Sequence, residues 1–171
     1  MFKLTGYETT DILFSTATTR VYHAIRESDQ RAVILRTSGE QASASQRARL
    51  SSSAAILRGF DHANIVTVVD IIEQSGQPCL VMDDIGGMDL RQYAETFEFK
   101  QLPLETFLNI AIQLADALSV IHHAQVIHKD LHPGNIVINP ETLNVQIIDF
   151  GIASLLSREQ PALAPPENLE G

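Results

Sequence analysis

Val126-Ile127-His128-Lys129-Asp130-Leu131-His132-Pro133-Gly134-Asn135-Ile136-Val137-Ile138-Asn139, followed after a polar turn by Val145-Gln146-Ile147-Ile148-Asp149-Phe150-Gly151, decides the reading of this chain. Two apolar, β-branched runs flank Pro140-Glu141-Thr142-Leu143-Asn144, the pattern of a β-hairpin. Asn135 then stands just before the first strand and Asp149 at the end of the second. An antiparallel hairpin brings those two ends together, so an amide and a carboxylate meet at one mouth. Asp130, five residues before Asn135 on a Pro-Gly loop, reaches the same place. Oxygen ligands of this kind suit a hard cation such as Mg2+ bound to phosphates.

Working outward, the 171 residues amount to one domain or a little more, with a formal charge of −9. That charge disfavours broad binding to nucleic acid or an anionic membrane. No uninterrupted run of 18 apolar residues exists, and the N-terminus lacks the apolar core of a signal peptide, so no membrane association is expected. Cys79 is the single cysteine and lies in an apolar run, which predicts a buried structural thiol in a reduced, cytoplasmic setting.

The N-terminal half reads as short antiparallel strands over Tyr7 to Phe14, Arg20 to Arg26 and Arg31 to Arg36. A helix follows from about Ala44 to Arg58. Two more strands, Ile65 to Ile72 and Pro78 to Met82, surround a Gln74–Gln77 turn. Asp89 is placed to cap a short helix carrying Leu90, Tyr93, Ala94 and Phe97 on one face. Pro103 opens the longest helix, to about His123, with a stripe of Phe107, Ile110, Ala111, Leu114, Leu118 and Ile121 expected in the core. His62, with no second ligand at metal spacing, is expected to be a structural hydrogen-bonding residue.

His128-Lys129-Asp130, then Asn135, then Asp149-Phe150-Gly151 resemble the catalytic-loop and D-F-G signatures of the protein kinase superfamily. The opening strands match the start of a kinase small lobe and resemble a bacterial, eukaryote-like serine/threonine kinase. Asp61-His62-Ala63-Asn64-Ile65-Val66 resembles the link after the small-lobe helix, and Asp83-Asp84-Ile85-Gly86-Gly87 resembles the hinge. The resemblance implies an α+β fold. Residues 1–84 would form a five-stranded antiparallel small lobe with one helix. Residues 85–171 would hold the hinge, the first large-lobe helices and the catalytic hairpin. Ile152 to Gly171 would be an activation segment on which the chain stops, so the chain reads as the N-terminal part of a kinase domain, with little activity by itself. Further C-terminal signalling domains are compatible with that reading.

The resemblance also implies roles. Asp130 would orient the attacking hydroxyl, with His128 bracing the loop. Asn135 and Asp149 would hold Mg2+, and Phe150 would pack to set the position of Asp149. Val21, Met82 and the hinge at Asp84 would line the adenine site of ATP. Arg36 takes the place of the phosphate-gripping lysine. The substrate would be a protein hydroxyl. Three departures stand out. Phe14-Ser15-Thr16-Ala17-Thr18-Thr19-Arg20 has no glycine where a Gly-rich loop belongs. No acid lies between Gln41 and Phe60, so the helix glutamate is replaced by a residue near Ser53. His132 replaces a lysine that helps neutralise the transferred phosphate. These departures make a pseudokinase or regulatory ATP-binding module the first alternative. Asp130-Leu131-His132-Pro133-Gly134-Asn135 also resembles the loop of small-molecule phosphotransferases of the aminoglycoside phosphotransferase and choline kinase type. The N-terminal half and the Asp-Phe-Gly-Ile-Ala run weigh toward the protein-kinase branch.

Overall fold

The structure is a computed structural model and describes residues 2–74 and 76–155. The expected activation segment beyond residue 155, including Ser157 and Pro165-Pro166-Glu167, lies outside the described residues. In chain order the elements are β1 (Tyr7–Ser15), β2 (Thr19–Arg26), β3 (Arg31–Ser38), α1 (Ala44–Leu57), β4 (Val68–Gln74), β5 (Gln77–Asp83), β6 (Met88–Asp89), α2 (Leu90–Glu95), α3 (Leu104–His123), β7 (Val126–Ile127), β8 (Ile136–Ile138), β9 (Val145–Ile147) and β10 (Ser154–Leu155).

Five strands form one antiparallel sheet in the order β1-β2-β3-β5-β4. Alternation along the strands sorts side chains onto two faces. Val33, Leu35, Cys79 and Val81 join Tyr22 and Ala24 in one cluster. Leu80 and Met82 turn the other way, onto Leu50, Ala54 and Leu57 of α1 and onto Phe150. Arg36 pairs in register with Val21 on one side and Leu80 on the other. It therefore belongs to the face that looks toward α1 and the catalytic hairpin.

Helix α1 starts at Ser43, whose hydroxyl accepts the Gln46 N–H at 3.2 Å while the Gln46 side chain accepts the Ser43 N–H at 2.9 Å. This reciprocal cap contributes about 1 kcal/mol. The predicted strand over Ile65 to Ile72 divides in two. Only Val68–Gln74 joins the sheet. Ile65 instead makes a parallel bridge to Ile147, and Val66 N–H donates to the Ile147 carbonyl. Asn64 explains the division. Its Nδ2 donates to the Val145 carbonyl at 2.8 Å and to Gln113 Oε1 at 2.8 Å, which ties the segment to β9 and α3. His62 bonds the Asn64 N–H and Asp116, a structural role.

The expected hairpin forms as β8 and β9, with Ile136 opposite Ile147 and Ile138 opposite Val145. Helix α3 packs against it through Ile110, Ala117 and Ile121, all buried. The expected core stripe is only partly core: Ile110 and Ile121 are buried and Ala111, Leu114 and Leu118 half-buried, but Phe107 is 53% exposed. The reason is one-sided packing: among the described elements α3 makes its main contacts with β7 and β9, and Ile110 adds a cluster with Tyr93, Ile136 and Ile138. Although no uninterrupted apolar run of membrane length occurs, α3 is long and apolar enough to cross a membrane by length and composition.

Candidate active site

The mouth of the hairpin closes as its sequence requires. Ile148 N–H donates to the Asn135 carbonyl at 3.0 Å, so Asn135 and the residue before Asp149 are hydrogen-bonded neighbours. Asn135 Nδ2 donates to the Asp130 carbonyl at 2.9 Å and to Asp130 Oδ2 at 3.2 Å. Because the amide nitrogen points at Asp130, its oxygen is left for another partner. His128 is buried and fixes the loop from beneath. A carbonyl only accepts, so Nε2 carries the proton donated to Ile148 O at 2.9 Å, and Nδ1 accepts the Asp130 N–H at 3.3 Å. Phe150, 1% exposed, lies edge-on to the His128 ring at 4.7 Å and near Phe60 at 5.9 Å.

Two loop residues adopt left-handed backbone, Lys129 at φ 67° and Asp149 at φ 60°. Such conformations cost free energy in residues other than glycine and collect at functional sites. Asp149 is partly compensated by its own carboxylate, which accepts the Gly151 N–H at 3.0 Å. A Cβ on Gly151 would sit 2.9 Å from that carboxylate oxygen, so a side chain there would push the carboxylate aside.

The main departure is electrostatic. Arg36 lies fork-on against Asp149, with Nη1 to Oδ1 at 2.7 Å and Nη2 to Oδ2 at 2.8 Å. Burial pushes the Asp149 carboxyl up, but the Arg36 hydrogen bonds and charge, helped by the Gly151 N–H, outweigh it and hold the group below its ordinary value. The cause lies on α1. Ser53 occupies the position facing Arg36 and donates its hydroxyl back to Leu50 O at 2.8 Å, so the helix offers the guanidinium no carboxylate.

The β1–β2 turn is equally informative. Thr16 Oγ1 accepts the N–H groups of Thr18 and Thr19, at 3.3 and 3.0 Å, and Thr16 N–H donates to Thr19 O at 2.8 Å. The turn thus spends these N–H groups on itself. It is also tied down, since Gly39 N–H donates to Thr18 O and Gln41 N–H to Ala17 O. A Cβ on Gly39 would stand 2.3 Å from Ala17 O, so this contact depends on glycine.

Arg36, Asp130, Asp149 and Ser53 line one cavity of about 170 Å³, together with Thr18, Thr19, Arg49 and Ser38. Val21, Met82 and Asp84 do not line it. Val21 is half-buried opposite Arg36 on the sheet, and Met82 is buried in the core with Phe150. The Asp84 carboxylate is engaged by His23 Nδ1 at 3.0 Å and by the Gly86 N–H at 2.8 Å. His132 borders a separate apolar groove with Leu90, Phe107 and Leu114, and its Nε2 is 3.9 Å from Asp130 Oδ2. Residues that sequence reasoning missed are Arg49, Ser38 and Thr16. Only the glycine-free composition of Phe14–Arg20 pointed toward the last.

The donor set fits a hard divalent cation in kind. Asn135 offers an amide oxygen and Asp149 a carboxylate, although Arg36 already shares that carboxylate. Among the described residues no cluster of three or more His, Cys, Asp or Glu is spaced to hold a metal ion. A cation here would therefore take its remaining ligands from a bound phosphate or water.

Comparison with known proteins places this geometry. The profile of the protein kinase domain family matches residues 7–168. A PAS domain-containing serine/threonine-protein kinase of Mus musculus is 40% identical over 111 residues, covering 64% of this chain and 8% of that protein. Serine/threonine-protein kinase PrkC of Bacillus subtilis is 36% identical over 109 residues, covering 64% of this chain and 16% of its own length. Serine/threonine/tyrosine-protein kinase HT1 of Arabidopsis thaliana is 30% identical over 146 residues, 82% of this chain and 37% of that protein. The chain thus spans well under half the length of these relatives.

Proposed function

Because this chain belongs to the protein kinase domain family, we propose that it binds ATP with Mg2+ and serves phosphoryl transfer to a serine or threonine hydroxyl of a protein. The observation that carries this reading is the joint placement of Asp130 and Asp149 on one cavity, with Asn135 hydrogen-bonded to Asp130. In this reading residues 1–84 are the small lobe, and 85–171 the hinge and first part of the large lobe. Asp130 accepts the proton of the incoming hydroxyl and aligns its oxygen. His128 holds that loop through its two ring nitrogens. Val21 and Met82 belong to the adenine side, and the hinge backbone around Asp84 supplies its hydrogen bonds. Mg2+, when bound, neutralises phosphate charge, and Asn135 and Asp149 are the residues that would hold it. The buried Cys79 thiol suits a reducing, cytoplasmic setting. The protein substrate is recognised elsewhere in this reading, and His132, on the neighbouring apolar groove, reaches toward Asp130 from outside the cavity.

A second reading has its own support. The Arg36–Asp149 pair and the self-satisfied β1–β2 turn favour a nucleotide-binding module that regulates a partner and turns over slowly. One pair of measurements separates the two. Phosphate transfer from labelled ATP to a generic protein substrate is compared between the natural chain and Asp130→Asn. Transfer lost in the variant supports the kinase reading, and equal rates sink it. Thermal stabilisation by ATP and Mg2+ without any transfer supports the regulatory reading.

A further inference from the structure

We propose that Arg49 of α1 is the cation that grips the phosphates of the bound nucleotide, taking over a task that Arg36 and the β1–β2 turn do not perform. The inference rests on the nucleotide-binding reading above and goes beyond it in naming the gripping residue.

Gln46, Arg49, Leu50 and Ser53 follow one another at helical spacing, and all four line the cavity that holds Asp130 and Asp149. Arg49 therefore stands one turn before Ser53 on the face turned to the site. Of the two guanidiniums there, Arg36 is committed at both ends of its fork to Asp149. Arg49 makes no hydrogen bond or ion pair among the described residues, so its donors are open. No acid on α1 competes for it, and the acid nearest before the helix, Glu40, is held by Arg20 at 2.9 Å.

The alternative grips are closed. A phosphate-binding turn works through free backbone N–H groups, and here Thr18 and Thr19 give theirs to Thr16 Oγ1. The cavity walls do supply hydroxyls from Thr18, Thr19 and Ser38. Ser38 Oγ is buried without a hydrogen-bond partner among the described residues, which is costly unless something fills the space beside it. The size agrees. About 170 Å³ is small beside the ~300–1,000 Å³ of sites that enclose a whole small molecule. It suits phosphoryl groups, with base and sugar lying outside, toward Val21 and the hinge. A planar guanidinium with open donors binds phosphate in two parallel hydrogen bonds.

The test is displacement of a fluorescent adenosine analogue from the whole chain by ATP, ADP and adenosine, in Mg2+. Arg49→Ala is expected to weaken ATP and ADP by about tenfold or more while adenosine changes by less than about twofold, and Arg49→Lys to recover part of the loss. Arg58→Ala, which removes a cation at the far end of the same helix, is expected to leave all three unchanged. An unchanged ATP affinity in Arg49→Ala overturns the proposal. So does an equal loss for adenosine, or an equal loss in Arg58→Ala. If the natural chain binds ATP and adenosine without dependence on Arg49, this proposal alone falls. If it binds neither, the nucleotide-binding reading falls with it.

Discussion

Replacing Arg36 by methionine keeps the stem that packs under the sheet and removes the guanidinium from Asp149. The pair has two charge-assisted hydrogen bonds of 2.7 and 2.8 Å, and its side chains are 20% and 30% exposed. A hydrogen bond to a charged group contributes ~1.5–3 kcal/mol when shielded, whereas fully exposed pairs contribute ~0–1 kcal/mol. The partial exposure places this pair between those limits, and the coupling is expected at about 1.5–2 kcal/mol. Arg36→Met alone should cost more, about 2–3 kcal/mol, because Asp149 is then left partly buried with the Gly151 N–H as its remaining partner. Asp149→Asn and the double variant complete a cycle, read by urea unfolding. The pH dependence follows from the lowered Asp149 pKa. A carboxyl that binds its proton less readily when folded adds stability above its unfolded value of ~3.9. That stability is lost as pH falls through the lower folded value. The coupling should therefore be equal at pH 7 and pH 5 and shrink under about pH 4. A coupling under ~0.5 kcal/mol at pH 7, or one that grows on acidification, refutes the reasoning.

Asn64→Ala should destabilise the chain by about 2–3 kcal/mol in the same unfolding assay, since it strips hydrogen bonds from Val145 and Gln113 at a buried junction; a loss under ~0.5 kcal/mol would show that the junction holds without it. Gly39→Ala forces a Cβ against Ala17 O and should cost about 1–3 kcal/mol. It should also loosen the β1–β2 turn, seen as faster amide exchange at Gln41, whose N–H bonds to Ala17 O in that turn. Burial pushes the Cys79 thiol up to about 12, so iodoacetamide at pH 8 should label it only as fast as the chain unfolds, and rapid labelling of the native chain would contradict its buried place in the sheet.

Much of this molecule is legible in its sequence. Local spacing carries the hairpin, because the β-branched runs and the Pro140–Asn144 turn lie within one short stretch. The same contiguity brings Asn135 to Asp130, five residues away, and sets His128 beneath them. Period and capping signals likewise find the other four sheet strands, α1 and α3 to within a residue or two. The strand over Ile65 to Ile72 misleads because apolar, β-branched residues suit a sheet and a core junction equally. Asn64, a polar residue bonded across 81 positions to Val145, decides between them. The stripe on α3 misleads at Phe107 because periodicity says which face is apolar and not how far a neighbour covers it.

The family and the hairpin follow from sequence alone, as does the closeness of Asn135 to Asp130, since each depends on residue type at short separation. Tertiary structure alone decided where the charges point. Arg36 and Asp149 are 113 positions apart, and nothing local directs that guanidinium to the carboxylate. It goes there because docking α1 presents Ser53 where an acid is needed, and the same docking turns Arg49 into the cavity. Electrostatic partners are chosen by distance in space, and only the packed fold sets that distance.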